Sequence, residues 1–478
     1  MRIDQGRSLI QKINQFLYSP AYFLLIGGLT VLSNTCGAEV FVYTCFVLIA
    51  IYVCLFGRDL LPLMPMFICG YISPSVENNP GFNDDSVFSL SGGGWYLLVL
   101  IAGFLACLVY RLITDPDFGG KKFITRKRGL LSGMLILSAG YLLSGLGSGQ
   151  LQNYFGQNLA FLLLQILSVA GLYYLFSGAV RWELAPKAYL SWTGVCVGYV
   201  LLAELLFIYA DANVIVDGTI LRERIYTGWG HYNNIGVLLA MMIPCPFFLT
   251  GKGRKTGAFY ISGMLFLAGL IFTCSRGSII CGVVVYMLSY LVSLFHSRYA
   301  RANVAIHVFT ALVAILAFAM FYGKITRLFS SLIQIGLDPS NRFEIYYEGL
   351  KQFLRYPLFG ETFFPSEYVP YSWSTAEGFT TFFPPRWHNT VVQLLASCGI
   401  AGMVAYAVHR VQTIRLFVKN FSGKKIFFAI SILALLSTSM LDCHMFNIGP
   451  VLFYSMTLAF IEQRLDMPSR KKMEIAEK

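Results

Sequence analysis

The sequence predicts an all-α, polytopic transmembrane bundle of about 12 to 14 spans, on the evidence of composition, continuous apolar runs and the placement of Lys and Arg. Its 478 residues are 56% hydrophobic and 13% charged, with a mean hydropathy of +0.64. That charge is about half of the roughly 25% usual in soluble domains, too little to cover a globule in water. A hydrocarbon core about 30 Å thick asks for about 20 apolar residues per helix. Runs of that kind occur near 21–35, 37–57, 60–73, 94–110, 129–146, 158–180, 189–210, 231–250, 257–273, 278–295, 303–322, 388–408, 426–441 and 446–461. The first and third are short, which sets the lower count at twelve. A β-barrel would instead show alternating segments of about 10 residues.

Orientation follows from the excess of Lys and Arg in cytoplasmic loops. With both termini inside, the inner segments hold 27 of the 36 basic residues, including five in 410–425, and the outer segments hold 9. The net charge of +12 is spread over many short loops, which suits topology and anionic lipid rather than a nucleic-acid partner. The expected organisation is a bundle over 1–322, an outer (periplasmic) loop over 323–387, three last spans over 388–461 and a basic cytoplasmic tail over 462–478.

The first twenty residues are too polar for a signal peptide, so the N-terminus is expected to be retained. Ile3, Ile10, Ile13 and Leu17 approximate helical spacing, as in a short interfacial helix. The eleven cysteines form no Cys-x-x-Cys pair and lie mostly within apolar runs, so neither a disulfide framework nor a metal site is expected.

Three outer segments interrupt the apolar pattern: 74–93, 211–230 with Arg222 and Arg224, and the 65 residues of 323–387. The last is well beyond ordinary connection length. In it, Asn341 with Glu344 three residues on forms a capping-box pattern, and Phe343, Tyr346 or Tyr347, Leu350 and Leu354 recur at helical spacing until Pro357. An amphipathic helix on or near the outer surface is expected. Arg342 would occupy its first turn, where the helix dipole disfavours a cation by roughly 0.3–1 kcal/mol, a placement that suits holding an anion as well as a plain surface residue. Beyond Gly360 come Phe363, Phe364, Tyr368, Tyr371, Trp373, Phe379, Phe382, Phe383 and Trp387, readable as an interfacial aromatic belt or as a lipid- or sugar-stacking surface.

Pro384-Pro385-Arg386-Trp387-His388-Asn389-Thr390 leads into an apolar run, so His388 is expected at or near a helix N-terminus. The dipole there and nearby arginines disfavour imidazolium and favour the neutral ring that a general base needs. An interfacial histidine bonded to a carbonyl is the bland alternative. Cys274-Ser275-Arg276-Gly277-Ser278 is a tight outer turn between two spans, and an arginine at the hydrocarbon boundary is costly without a partner. Guanidinium matches phosphate with paired donors, so Arg276 and Arg342 suit a diphosphate and His388 an acceptor hydroxyl. His231, Asn233 and Asn234 open a span on the same side and read equally well as lining residues or caps; Asp442 and His444, in another outer turn, are equally ambiguous.

The sequence resembles the O-antigen ligase and polymerase superfamily. The resemblance is carried by His388-Asn389, nine residues, then Gly399-Ile400-Ala401-Gly402; by Ser275-Arg276-Gly277; and by Asn341-Arg342-Phe343 followed by Tyr356-Pro357-Leu358-Phe359-Gly360. It implies a GT-C-like helical fold and a metal- and cofactor-independent glycosyltransferase of the cell envelope. It implies transfer from an undecaprenyl-diphosphate-linked glycan to an acceptor at the outer face: a lipid A core as in lipopolysaccharide, a wall polymer, a protein, or a second lipid-linked repeat in a polymerase. Arg276 and Arg342 would hold the diphosphate and His388 would activate the acceptor, with Asn389, Arg386, His231, Asn234, Arg222 and Arg224 as supporting candidates. A transporter or flippase would bury charges near midplane, where Glu204 is the main ionisable residue that the sequence places inside a span.

Overall fold

The computed structural model describes residues 2–73, 94–148, 154–210, 214–228, 230–250, 256–296, 300–330, 342–364, 387–420 and 423–463. They form an all-α bundle, relieved only by two antiparallel ladders of two-residue strands in the segment after Tyr189–Ala210. Ile215 pairs with Ile220 in the first, and Tyr226 with His231 in the second. Among the described residues eight helices are long and apolar enough to cross a membrane, or nine when Leu9–Leu17 and Pro20–Cys36, which meet at 71°, count as one. Shorter apolar helices, Leu63–Ile72, Leu131–Leu142, Thr256–Phe272 and Ile448–Glu462, stand among them. The chain is a multi-pass membrane protein.

Why these helices hold together in lipid is visible at their contacts. Hydrocarbon offers no hydrophobic drive between helices, so close approach through small residues and internal satisfaction of hydroxyls carry the packing. A β-carbon at Gly140 would stand 2.6 Å from that of Ala405, which lets Leu131–Leu142 lie directly on the second half of Thr390–Lys419. Thr30, Ser289 and Thr438 donate back to the carbonyls of Ile26, Val285 and Ala434 one turn earlier, so their burial leaves no unpaired hydroxyl.

The helix expected over 388–408 runs instead from Thr390 to Lys419 and is broken at Gly399, whose φ of 61° and ψ of −160° suit glycine alone. From Ile400 onward it has 20 residues, about 30 Å at 1.5 Å per residue, enough for a full crossing. The same helix corrects the charge map. Arg410, assigned by sequence to a cytoplasmic loop, lies inside the bundle: it donates to Tyr454 Oη at 2.8 Å, approaches Met445 Sδ at 3.1 Å, and sits over the Tyr406 ring. Aromatic faces and a polarisable sulfur take the place of a carboxylate partner. Arg410 therefore joins Glu204, the main ionisable residue that the sequence placed inside a span, as a second such group within an apolar helix.

Phe363 also departs from expectation. It is fully buried, against Phe161 at 5.0 Å and Phe446 at 4.9 Å between ring centroids, and its N–H donates to Asn158 Oδ1 at 3.0 Å. The start of the aromatic run is thus core, whereas Tyr368, Tyr371, Trp373, Phe379, Phe382 and Phe383 lie outside the described residues.

Candidate functional site

The break at Gly399 explains two of the sequence motifs together. Opening the helix frees backbone groups that must find partners elsewhere. Ile400 N–H donates to the Pro357 carbonyl at 2.8 Å, Ala401 N–H to that of Leu358 at 3.0 Å, and Glu361 N–H to that of Ala396 at 2.9 Å. The segment Tyr356 to Gly360 is thereby seated in the gap. Gly360, at φ 68°, lies so close that a β-carbon would meet Ser397 backbone at 2.2 Å. The preceding helix, Arg342–Arg355, then lies back along the first half of Thr390–Lys419, with Gly349 against Val392 and Trp387. Its N-terminal end meets His388, where Tyr346 Oη donates to the His388 carbonyl at 3.2 Å.

His388 sits just ahead of the helix, in a left-handed backbone conformation at φ 47°. Asn389, not His388, is the N-cap: its Oδ1 accepts from Val391 N–H at 2.8 Å and Val392 N–H at 3.3 Å. Asn389 Nδ2 donates to the Met440 carbonyl at 2.9 Å, tying the cap to the turn that carries Asp442. His388 Nδ1 lies 3.4 Å from Asp442 Oδ1. The sequence reading set only arginines and a helix dipole around this ring, and the structure adds a carboxylate.

Asp442 is held on several sides. Its Oδ1 also accepts from Cys443 N–H at 2.7 Å, and its Oδ2 accepts from Asn233 Nδ2 at 3.0 Å. Asn233 Oδ1 in turn accepts from Ser275 Oγ at 2.8 Å, and that hydroxyl is 3.0 Å from Ser278 Oγ. Arg276 follows Ser275 and opens the helix Arg276–His296. Arg342 opens Arg342–Arg355 one turn from Tyr346, and its charge is felt there: burial raises the Tyr346 phenol above its usual range, Arg342 opposes the rise and Asp442 adds to it. A continuous polar chain therefore runs from the Arg342 helix through Tyr346, His388, Asp442, Asn233 and Ser275 to the Arg276 turn.

The supporting candidates divide. His231 caps Tyr232–Met242, with Nδ1 accepting from Asn233 N–H at 3.1 Å, so it orients the asparagine that reaches Asp442. Asn234 faces the other way, buried and bonded to Asn447 Nδ2, which is also 3.0 Å from His444 Nδ1. Arg222 lies over the Tyr232 ring at 5.3 Å and pairs with Glu223 at 3.0 Å. Burial pushes the neighbouring Cys274 thiol up to about 11, opposed by a Tyr209 hydrogen bond and by the Arg222 charge, which puts that cation beside the Ser275-Arg276 turn. Arg224 is exposed. Arg386 and the cap candidate Asn341 lie outside the described residues. The contact of Tyr346 with His388 and the bridging role of Asp442 went unread in the sequence, because neither a tyrosine on a helix nor an aspartate in a turn carries a local signal for a partner 42 or 54 positions away.

No curated protein matches the chain. The family model described as O-antigen ligase matches residues 261–407. That stretch contains Ser275-Arg276-Gly277, Arg342, His388-Asn389 and Gly399, so the motifs that suggested the resemblance fall in one segment, while Asn233 and Asp442, which join them, lie outside it. Over residues 261–407 this multi-pass membrane protein is thus similar to the O-antigen ligase family.

Proposed function

We propose that this chain is a glycosyltransferase that moves a glycan from undecaprenyl diphosphate to an acceptor hydroxyl at the outer face of a bacterial cytoplasmic membrane. The observation that carries this reading is the polar chain uniting His388, Asp442 and the two arginine-bearing helix starts. Asp442 facing Nδ1 favours the tautomer with its proton there, which leaves Nε2 to accept the acceptor proton. As the acceptor oxygen bonds to the anomeric carbon, the bond from that carbon to the diphosphate oxygen breaks, the configuration inverts, and the electron pair leaves on the diphosphate. Arg276 and Arg342, at two helix N-termini, neutralise that charge with no metal required. The topology that fits is both termini inside, with the shorter apolar helices completing 12 to 14 crossings of a GT-C-like bundle.

The acceptor divides ligase from polymerase. A single unextended repeat accumulating in a deletion strain assigns the polymerase, and long unattached polymer assigns the ligase. For the chemistry, Arg276→Ala and Arg342→Ala are each expected to abolish glycan transfer, and His388→Ala to lower it by at least about 100-fold, with expression and membrane insertion intact. Near-normal transfer by the His388 variant would remove the general-base role, and lipid-linked-sugar uptake by vesicles that survives His388→Ala and Arg276→Ala would favour a flippase.

A further inference from the structure

The helix Arg342–Arg355 presents three faces. At 3.6 residues per turn, Ile345, Gly349 and Gln352 share one arc about 60° wide, Glu344, Glu348, Lys351 and Arg355 a second, and Phe343, Tyr347, Leu350 and Leu354 a third. The first arc is buried, with Gly349 against Val392 and Trp387. The second is the water-facing arc, where Lys351 Nζ pairs with Glu348 Oε1 at 2.7 Å. The third is apolar, yet its four residues are between 41% and 72% exposed. An ordinary helix on a soluble surface has two faces, core and water, and a third apolar face needs a second apolar neighbour.

That neighbour is identified by continuity. Leu358, one turn past Leu354 and also exposed, belongs to the segment whose carbonyls receive Ile400 and Ala401 N–H. From Ile400 the exposed apolar side chains Val404, Val411, Ile414 and Val418 follow at helical spacing down the 20-residue half of Thr390–Lys419. On a membrane-crossing helix such a stripe faces hydrocarbon. The loop stripe is the upward extension of that lipid-facing surface, bent over at Gly399.

We propose that Arg342–Arg355 is an interfacial anchor whose Phe343, Tyr347, Leu350 and Leu354 are immersed in the hydrocarbon edge of the outer leaflet. The charged arc then faces water, and Arg342 and Tyr346, which fall between the stripe and the protein face, are held at the depth of lipid phosphates. This inference rests on the membrane reading of Thr390–Lys419 and not on the transfer chemistry, so it stands or falls separately.

The test uses the full-length protein in liposomes, with Leu350→Cys, Leu354→Cys, Glu348→Cys and Lys351→Cys each made in a Cys36→Ser background. Labelling by a membrane-impermeant maleimide is expected to be at least about tenfold slower at Leu350→Cys and Leu354→Cys than at Glu348→Cys and Lys351→Cys. Bimane attached in detergent to Leu354→Cys is expected to be quenched by lipids brominated on their acyl chains, and bimane at Lys351→Cys is not. Equal labelling on both arcs overturns the proposal by placing the stripe in water. Slow labelling without lipid quenching also overturns it, because protein then covers the stripe: residues 365–386 of the same loop or a second copy of the chain.

Discussion

Asn233 Nδ2 donates to Asp442 Oδ2 at 3.0 Å, joining the start of one membrane helix to the turn before the last helix across 209 positions of sequence. Through it the turn bearing Arg276 and the histidine at 388 become parts of one hydrogen-bonded unit. Asp442 is thereby immobilised before any substrate arrives, the condition under which a carboxylate can fix the tautomer and direction of an imidazole.

Asp442→Asn is expected to lower the transfer rate by about 10- to 100-fold, because the amide can present its NH2 to Nδ1 and favour the wrong tautomer. His388→Ala should cost about 10²- to 10⁴-fold, the range of general acid–base catalysis. The double variant is expected to be no slower than His388→Ala alone. Initial rates in reconstituted liposomes check this, and additive losses would separate the two residues.

Tyr346→Phe removes the donor to the His388 carbonyl and is expected to cost about 0.5–1.5 kcal/mol of stability at neutral pH. Burial raises the Tyr346 phenol above its usual range. The unfolded chain therefore loses this proton first as the pH climbs past about 10, and the folded protein loses stability from there upward. Below that pH the contribution is complete. Thermal unfolding in detergent is expected to show parent and Tyr346→Phe converging above pH 10, and a constant gap between them would contradict the assignment.

Gly399→Ala is expected to be severe. A side chain at φ 61° and ψ −160° costs about 1–3 kcal/mol in backbone strain alone. Its β-carbon would also stand 2.5 Å from the Leu358 backbone, so the loop segment must leave the gap. Transfer activity should fall with thermal stability, and protease sensitivity of the outer loop should rise. Ile400→Ala, on the exposed side of the same break, is the control and should leave both unchanged.

Metal chelation is expected to leave the transfer rate unchanged, since the charge that develops on the diphosphate is assigned to Arg276 and Arg342. Rates measured with and without a chelator decide this. Loss of activity restored by one divalent cation would transfer the role to that ion.

What the sequence determined by itself follows from short-range rules. Continuous apolar runs cannot stay in water, so the bundle was legible. The spacing of Phe343, Leu350 and Leu354 up to Pro357 obliges an amphipathic helix, observed as Arg342–Arg355. The motif residues Ser275, Arg276, Arg342, His388 and Gly399 were legible by resemblance, in a segment that the family match covers.

Only tertiary structure decided how they meet. Gly399 reads locally as one more small residue in an apolar helix, and its left-handed break makes sense only with Tyr356 to Gly360 seated against it. Arg410 reads as the start of a basic loop, and only the Tyr406, Tyr454 and Met445 side chains around it make the bundle interior habitable for a cation. Asp442 reads as a turn residue until folding brings His388 and Asn233 to its two oxygens. Propensity and hydropathy act over a few residues, whereas hydrogen-bond partners are set by which helix ends the bundle brings together.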